Sequence, residues 1–247
     1  MKDIDAIAML QDPVRRRLYE YVAAQGREVG RNEAAEAAGV ARTLAAHHLD
    51  RLTEAGLLES GSRRLTGRSG PGAGRPAKVY TRARAERSVS LPARDYLTAA
   101  GLLAEAAEQA GLDTELCAAA GRRGAALRGS AAPCGGLDEA MEMLAGRGYE
   151  PYLEGGGGPE DSDGSEGSEG VRGAGGAVAV AGAAERVVRM RNCPFHAVAE
   201  HFPPLVCGMN LALLEGLFGE DGPVRARMDA RPGECCVVIE TSKNNDR

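Results

Sequence analysis

Gly39 to Glu59 reads GVARTLAAHHLDRLTEAGLLE, and this stretch decides the fold. Leu44, His48, Leu49, Leu52 and Leu57 fall along one side at helical spacing, and Gly56 stops the helix. Just upstream, NEAAEAAGV (32–40) predicts a short helix stopped by Gly39. Further back, DPVRRRLYEYVAAQ (12–25) sets Val14, Leu18, Tyr21 and Val22 at the same spacing, and Asp12-Pro13 is a favourable helix start. Downstream, ESGSRRLTGRSGPGAGRPAKVYTRA (59–83) predicts two short strands around a loop rich in Gly, Pro and Arg. Three short helices and a basic hairpin are the plan of a winged helix-turn-helix, assigned to residues 1–90.

Charge supports that division. Residues 1–95 hold 17 Lys and Arg against 12 Asp and Glu, while the remaining residues hold 13 against 23. Residues 60–87 alone carry eight basic residues and one acid. A basic front half and an acidic back half imply that the front meets a polyanion. The 247-residue chain lacks Trp and has three Phe, so its core is built from Leu, Val and Ala. No apolar run approaches the roughly 18 residues of a membrane span, and MKDIDAIAML has acids where a signal peptide needs bases. The expected location is the cytoplasm, where thiols stay reduced and favour metal or redox chemistry over disulfides.

After Ser90 the chain is expected to be helical to about Ser130, because SLPARDYLTAAGLLAEAAEQA has an early Pro and a Leu/Ala stripe. Residues 91–132 are read as a helical linker and dimerisation region. Residues 133–247 are read as a small α+β domain: helix, turn and strand in LDEAMEMLAGRGYEPYLE, then ERVVRMRN, VCGMNLALLEGLF, VRARMD and CCVVIE. Between them, 155–175 is Gly, Ser and acid with little that is apolar, and is expected to be disordered. The fold class is α+β.

In a helix-turn-helix the second helix enters the major groove with its N-terminal residues on base edges. That nominates Arg42, Thr43, Ala46 and His47 for bases and Arg51 for phosphate. The wing offers Arg63, Arg64, Arg68, Arg75 and Lys78 for the salt-sensitive contacts. His48 reads as a packing residue or a base reader, and Arg15, Arg16 and Arg17 as backbone contacts or a charged outer face. The partner is double-stranded DNA, and a homodimer would supply two half-sites.

A second stretch, NCPFHAVAEHFPPLVC (192–207), joins Cys193, His196, His201 and Cys207. Thirteen residues separate the two cysteines, and twenty-seven separate Cys207 from Cys235. This is not the tight spacing of a zinc ribbon. Yet Cys193 ends an expected strand, Cys207 starts a helix, and Cys235 and Cys236 start the last strand, so the ends can meet at one sheet edge. Neighbouring strand residues face opposite ways, so only one of Cys235 and Cys236 is expected to reach a common site unless the strand bulges. Cys117 reads as a small core hydrophobe, and Cys134 stays open. A thiol enzyme with Cys193 or Cys207 as nucleophile and His196 as base lacks an orienting third residue.

The segments GVARTLAAHHLDRLTEAGLLE and GPGAGRPAKVY resemble winged-helix regulators of the ArsR-like group, particularly actinobacterial ones. The segments NCPFH, LVCGMNLALLEG and PGECCVV are similar to the sensor domain of SufR-type iron–sulfur repressors. This resemblance implies a homodimeric repressor, not an enzyme, whose operator affinity follows an iron–sulfur cluster, [4Fe–4S] before [2Fe–2S], held by Cys193, Cys207, Cys235 and Cys236. The chain departs from that pattern in having no cysteine within VRARMD. The fourth ligand is left among His196, His201, Cys134, the second cysteine of the pair, or an outside group. The alternative is a zinc-stabilised or small-molecule-binding C-terminal domain.

Overall fold

The structure, a computed structural model, describes residues 2–63, 76–155 and 186–242. Arg64, Arg68 and Arg75 lie outside the described residues, as does all but the first residue of the loop expected at 155–175. The chain divides into two compact units, Met1–Arg94 and Asp95–Arg247.

The first unit opens with α1 (Lys2–Ala8) and a 3₁₀ turn (Met9–Gln11), neither anticipated from hydrophobic spacing. In α2 (Pro13–Gln25) the Asp12 carboxylate accepts from the amides of Val14 and Arg15, each at 2.9 Å, and Pro13 occupies the first position. β1 (Val29–Gly30) leads into α3 (Arg31–Ala38). Gly39 ends α3 at φ 65°, a left-handed turn that glycine adopts without strain, and the chain re-enters helix as α4 (Arg42–Glu54). β2 (Leu58–Arg63) and β3 (Ala77–Arg82) form the wing, antiparallel from Leu58 opposite Arg82 to Arg63 opposite Ala77. β1 pairs on the other side of β3, which gives the order β1-β3-β2.

Leu18, Val22, Ala34, Ala38, Ala45, Leu49, Leu52 and Tyr80 make the core of this unit. His48 is buried among them as a packing residue, its Nδ1 without a hydrogen-bond partner, and burial pushes its pKa down. Leu44 corrects the sequence reading. It was expected on the core side of α4 but is 41 % exposed. At about 100° per residue it lies a quarter turn from the line of Ala45, His48, Leu49 and Leu52.

The second unit begins later than expected. Helix starts at Tyr96 rather than Ser90, where Asp95 accepts from the Thr98 amide at 2.9 Å. The helices α5 (Tyr96–Gln109) and α6 (Asp113–Arg128) were read as a separate linker, but α6 packs along α9 (Pro203–Phe218) inside this unit. Glycines allow that contact. A Cβ on Gly124 would lie 2.7 Å from the Leu217 nitrogen and closer still to the Leu213 carbonyl oxygen, and one on Gly216 would clash with Gly121. Two helix backbones come this near only where side chains are missing.

The sheet is fully antiparallel, in the order β4 (Pro151–Glu154), β5 (Val187–Met190), β7 (Val237–Thr241), β6 (Val224–Met228). Side chains alternate between its faces. Val188, Met190, Val237 and Ile239 meet α9 and α7 (Leu137–Ala145) through Leu144, Leu214, Leu217 and Phe218. Arg189 and Glu240 occupy the opposite face and are buried by their partners. Arg189 donates to Glu154 at 2.7 Å and to Asp229 at 2.6 Å, while Arg225 and Arg227 hold Glu240. A buried charge is tolerable only when paired in this way.

Candidate nucleic-acid interface and cysteine site

The exposed side of the α4 N-terminal half carries Arg42, Thr43 and His47, with Ala46 half-buried beside them. Arg27, Arg31, Arg42, Arg63 and Lys78 line a groove between α3, α4 and the wing strands. Two of the nominated phosphate contacts carry weak surface pairs, Arg51 with Glu54 at 3.2 Å and Arg63 with Glu28 at 3.4 Å. Exposed pairs are worth little, so a phosphate can displace them.

Lys78 carries an ion pair as well. It was nominated for the backbone of DNA, but its ammonium sits 2.8 Å from Asp50 of α4. Asp50 also accepts from Tyr80 Oη at 2.6 Å and pairs with Arg31 at 3.1 Å. Burial alone would raise the Asp50 pKa, but the Lys78 and Tyr80 hydrogen bonds outweigh it and hold the carboxyl below its ordinary value. Burial and the Asp50 bond push Tyr80 up to about 12. This cluster ties α4 to α3 and β3. Arg31 was missed in the sequence because its partners lie 19 and 49 residues away.

The cysteines of the second unit come together as two pairs. Cys207, in the first turns of α9, is bonded to Cys236, with 6.4 Å between their Cα atoms. Cys193 follows β5, and its thiol is hydrogen-bonded to Cys235. The expectation that only one of Cys235 and Cys236 reaches a common site rested on strand alternation, which does not apply here, and each of the two lies beside another cysteine. The last strand starts only at Val237, so Cys235 and Cys236 sit in the bend before it. The Cys193 thiol is lowered by its bond with Cys235, against burial and with help from the Phe195 amide, while Cys235 moves up.

Behind this pair lies a buried polar relay that the sequence reading missed. Asn210 of α9 is 1 % exposed, accepts from the Tyr149 hydroxyl and donates to Cys235 Sγ at 3.4 Å. The other candidates stand differently. His196 is exposed, with Nε2 3.1 Å from Glu200, and His201 is exposed, with Nδ1 3.3 Å from the Ala197 carbonyl. Cys134 is buried and directed at the Gly136 carbonyl at 3.3 Å, its thiol pushed up by burial. Cys117 is half-buried on α6, 3.5 Å from where a Cβ on Gly208 would be.

Among the described residues no three Cys, His, Asp or Glu side chains converge on one metal-binding point. The four sulfurs come from three segments as one disulfide, Cys207–Cys236, and one pair of thiols, Cys193 and Cys235, joined through the adjacent Cys235 and Cys236. No helix among the described residues is long and apolar enough to cross a membrane.

No curated protein and no solved structure matches the chain. Residues 10–61, from the 3₁₀ turn through α2, α3 and α4 into β2, match the helix-turn-helix domain family, which together with the wing supports a DNA-binding transcriptional regulator of the winged-helix kind.

Proposed function

We propose that this regulator binds its operator as a homodimer and that a cysteine-held iron–sulfur cluster, [4Fe–4S] before [2Fe–2S], sets its affinity, as in the SufR-type proteins it resembles. The observation that carries the reading is that Cys193, Cys207, Cys235 and Cys236 fall into two cysteine pairs joined through the adjacent Cys235 and Cys236. With the Cys207–Cys236 bond reduced to two thiols by a cellular dithiol reductant, these four residues would hold the cluster, which when bound supplies a redox- and oxidant-sensitive state. A resident zinc is the alternative for the same thiols, and it would stabilise the unit without carrying a signal.

The segment between Cys193 and Cys207 contains α8 (His196–Ala199), and α8 touches α5. None of the α5 side chains is buried, and Tyr96, Leu97, Leu102 and Leu103 are 57–74 % exposed. Their exposed area is on the order of 400 Å², within the range of the largest apolar patch on a monomer, which is often functional. A second copy of α5 is the proposed cover, since two-fold pairing presents two recognition helices. Rearrangement at the cysteines thus reaches the dimer helix through α8, a two-state coupling between contacting elements.

The bond between Cys207 and Cys236 favours a second reading, a thiol–disulfide sensor built from the same residues. One experiment separates them: anaerobic purification with iron, sulfide, zinc and free thiols quantified, followed by gel-shift titration. The cluster reading expects iron and sulfide in proportion to protein, lost with operator redox-dependence in Cys193→Ser and Cys207→Ser but kept in Cys117→Ser. Stoichiometric zinc without iron refutes it. Metal-free protein whose DNA affinity follows the oxidation of two thiols supports the second reading.

A further inference from the structure

Leu44 occupies the first turn of α4, 41 % exposed, in the same N-terminal stretch of the helix as the exposed Arg42, Thr43 and His47. Those three neighbours all carry hydrogen-bonding groups, and Leu44 carries none. It is not needed to close the core, which Ala45, His48, Leu49 and Leu52 seal beneath it. A large apolar side chain is thus presented at the part of the helix where base edges are read. The major-groove edges of base pairs offer donors, acceptors and one prominent apolar group, the C5-methyl of thymine.

We propose that Leu44 reads a thymine methyl and so sets a T·A preference at one operator position. The inference rests on the docking of α4 in the major groove and names a specificity residue for it. Leu44 cannot satisfy a donor or acceptor, so at that position a pair without the methyl leaves both the leucine and a polar base edge poorly matched. The discrimination therefore comes from the difference between partners, while the arginines around the groove supply sequence-independent attraction. Thr43 and His47 remain free to hydrogen-bond adjacent bases.

The test begins by selecting a tight-binding duplex from a random pool with the full-length protein. Each thymine is then replaced by uracil, which removes the methyl and keeps every hydrogen-bonding group. At one position uracil is expected to weaken wild-type binding about three- to fivefold, the scale of one buried methyl group. Leu44→Ala should bind the thymine and uracil duplexes equally, and Leu44→Met should keep the preference. Wild-type indifference to every uracil replacement overturns the proposal, as does Leu44→Ala retaining the full methyl dependence. Arg42→Ala guards the premise: if it binds the selected duplex as the wild type does, the docking of α4 fails rather than the role of Leu44.

Discussion

Replacing Gly124 by alanine tests the packing on which the second unit depends. In an isolated helix this change stabilises by about 1 kcal/mol, because alanine is the better helix former. Here the new Cβ would fall 2.7 Å from the Leu217 nitrogen and nearer still to the Leu213 carbonyl, and both obstacles are backbone. Side-chain rotation cannot relieve them, so α6 and α9 must part by about 1 Å and lose contact along their length. Overpacking of this kind costs about 1–3 kcal/mol, and a helix–helix backbone clash belongs at the upper end. The net expectation is a loss of about 2 kcal/mol, or roughly 4–8 °C in melting temperature for a unit of this size. Two controls share the substitution but not the obstacle. A Cβ on Gly121 would lie 3.6 Å from the Ala212 oxygen, and one on Gly101 of α5 meets nothing within 4 Å. Urea unfolding followed by far-ultraviolet circular dichroism should rank Gly101→Ala as most stable, Gly121→Ala near it, and Gly124→Ala well below wild type. If Gly124→Ala is as stable as Gly101→Ala, the close approach of the two helices is wrong.

Three further outcomes follow from the same geometry. Because the Asp50 carboxyl is held below its ordinary value of about 3.9, its contribution is present above that pH and is lost as pH falls through the lowered value. The melting advantage of wild type over Asp50→Asn should therefore be full near pH 6 and shrink progressively below about pH 4; an advantage that grows on acidification contradicts the ion-pair assignment. Tyr149→Phe removes the donor to the buried Asn210 oxygen and should cost about 1–3 kcal/mol in urea titration, so an unchanged midpoint sinks the relay. Arg42→Ala should relax base preference at one operator position by about 1–3 kcal/mol, whereas Arg63→Ala should weaken all sequences and lower the salt slope; the reverse pattern in gel shifts would exchange their roles.

What the residues alone determine here is local. Asp12-Pro13 starts a helix, Gly39 turns the chain, and the spacing of Leu49 and Leu52 forms a buried stripe, because caps, turns and periodicity act within a few residues. The helix-turn-helix was legible for that reason, and so was the wing, whose basic loop shows in the composition. The course of the C-terminal strands was legible too, since β5 and β7 each open on β-branched residues, Val187-Val188 and Val237-Val238-Ile239. The α1 helix and the four-residue α8 were not, being too short or too weakly patterned to announce themselves. Partners distant in the chain were decided by tertiary structure alone. Lys78 pairs with Asp50 across 28 residues of chain, and Leu44 turns outward while Ala45 fills the core beside it. Cys207 meets Cys236 and Cys193 meets Cys235 because the bend before β7 lies beside the end of β5 and the start of α9. Sheet register and helix crossing choose such pairings, and both arise from the sum of many weak contacts across the whole unit rather than from any motif.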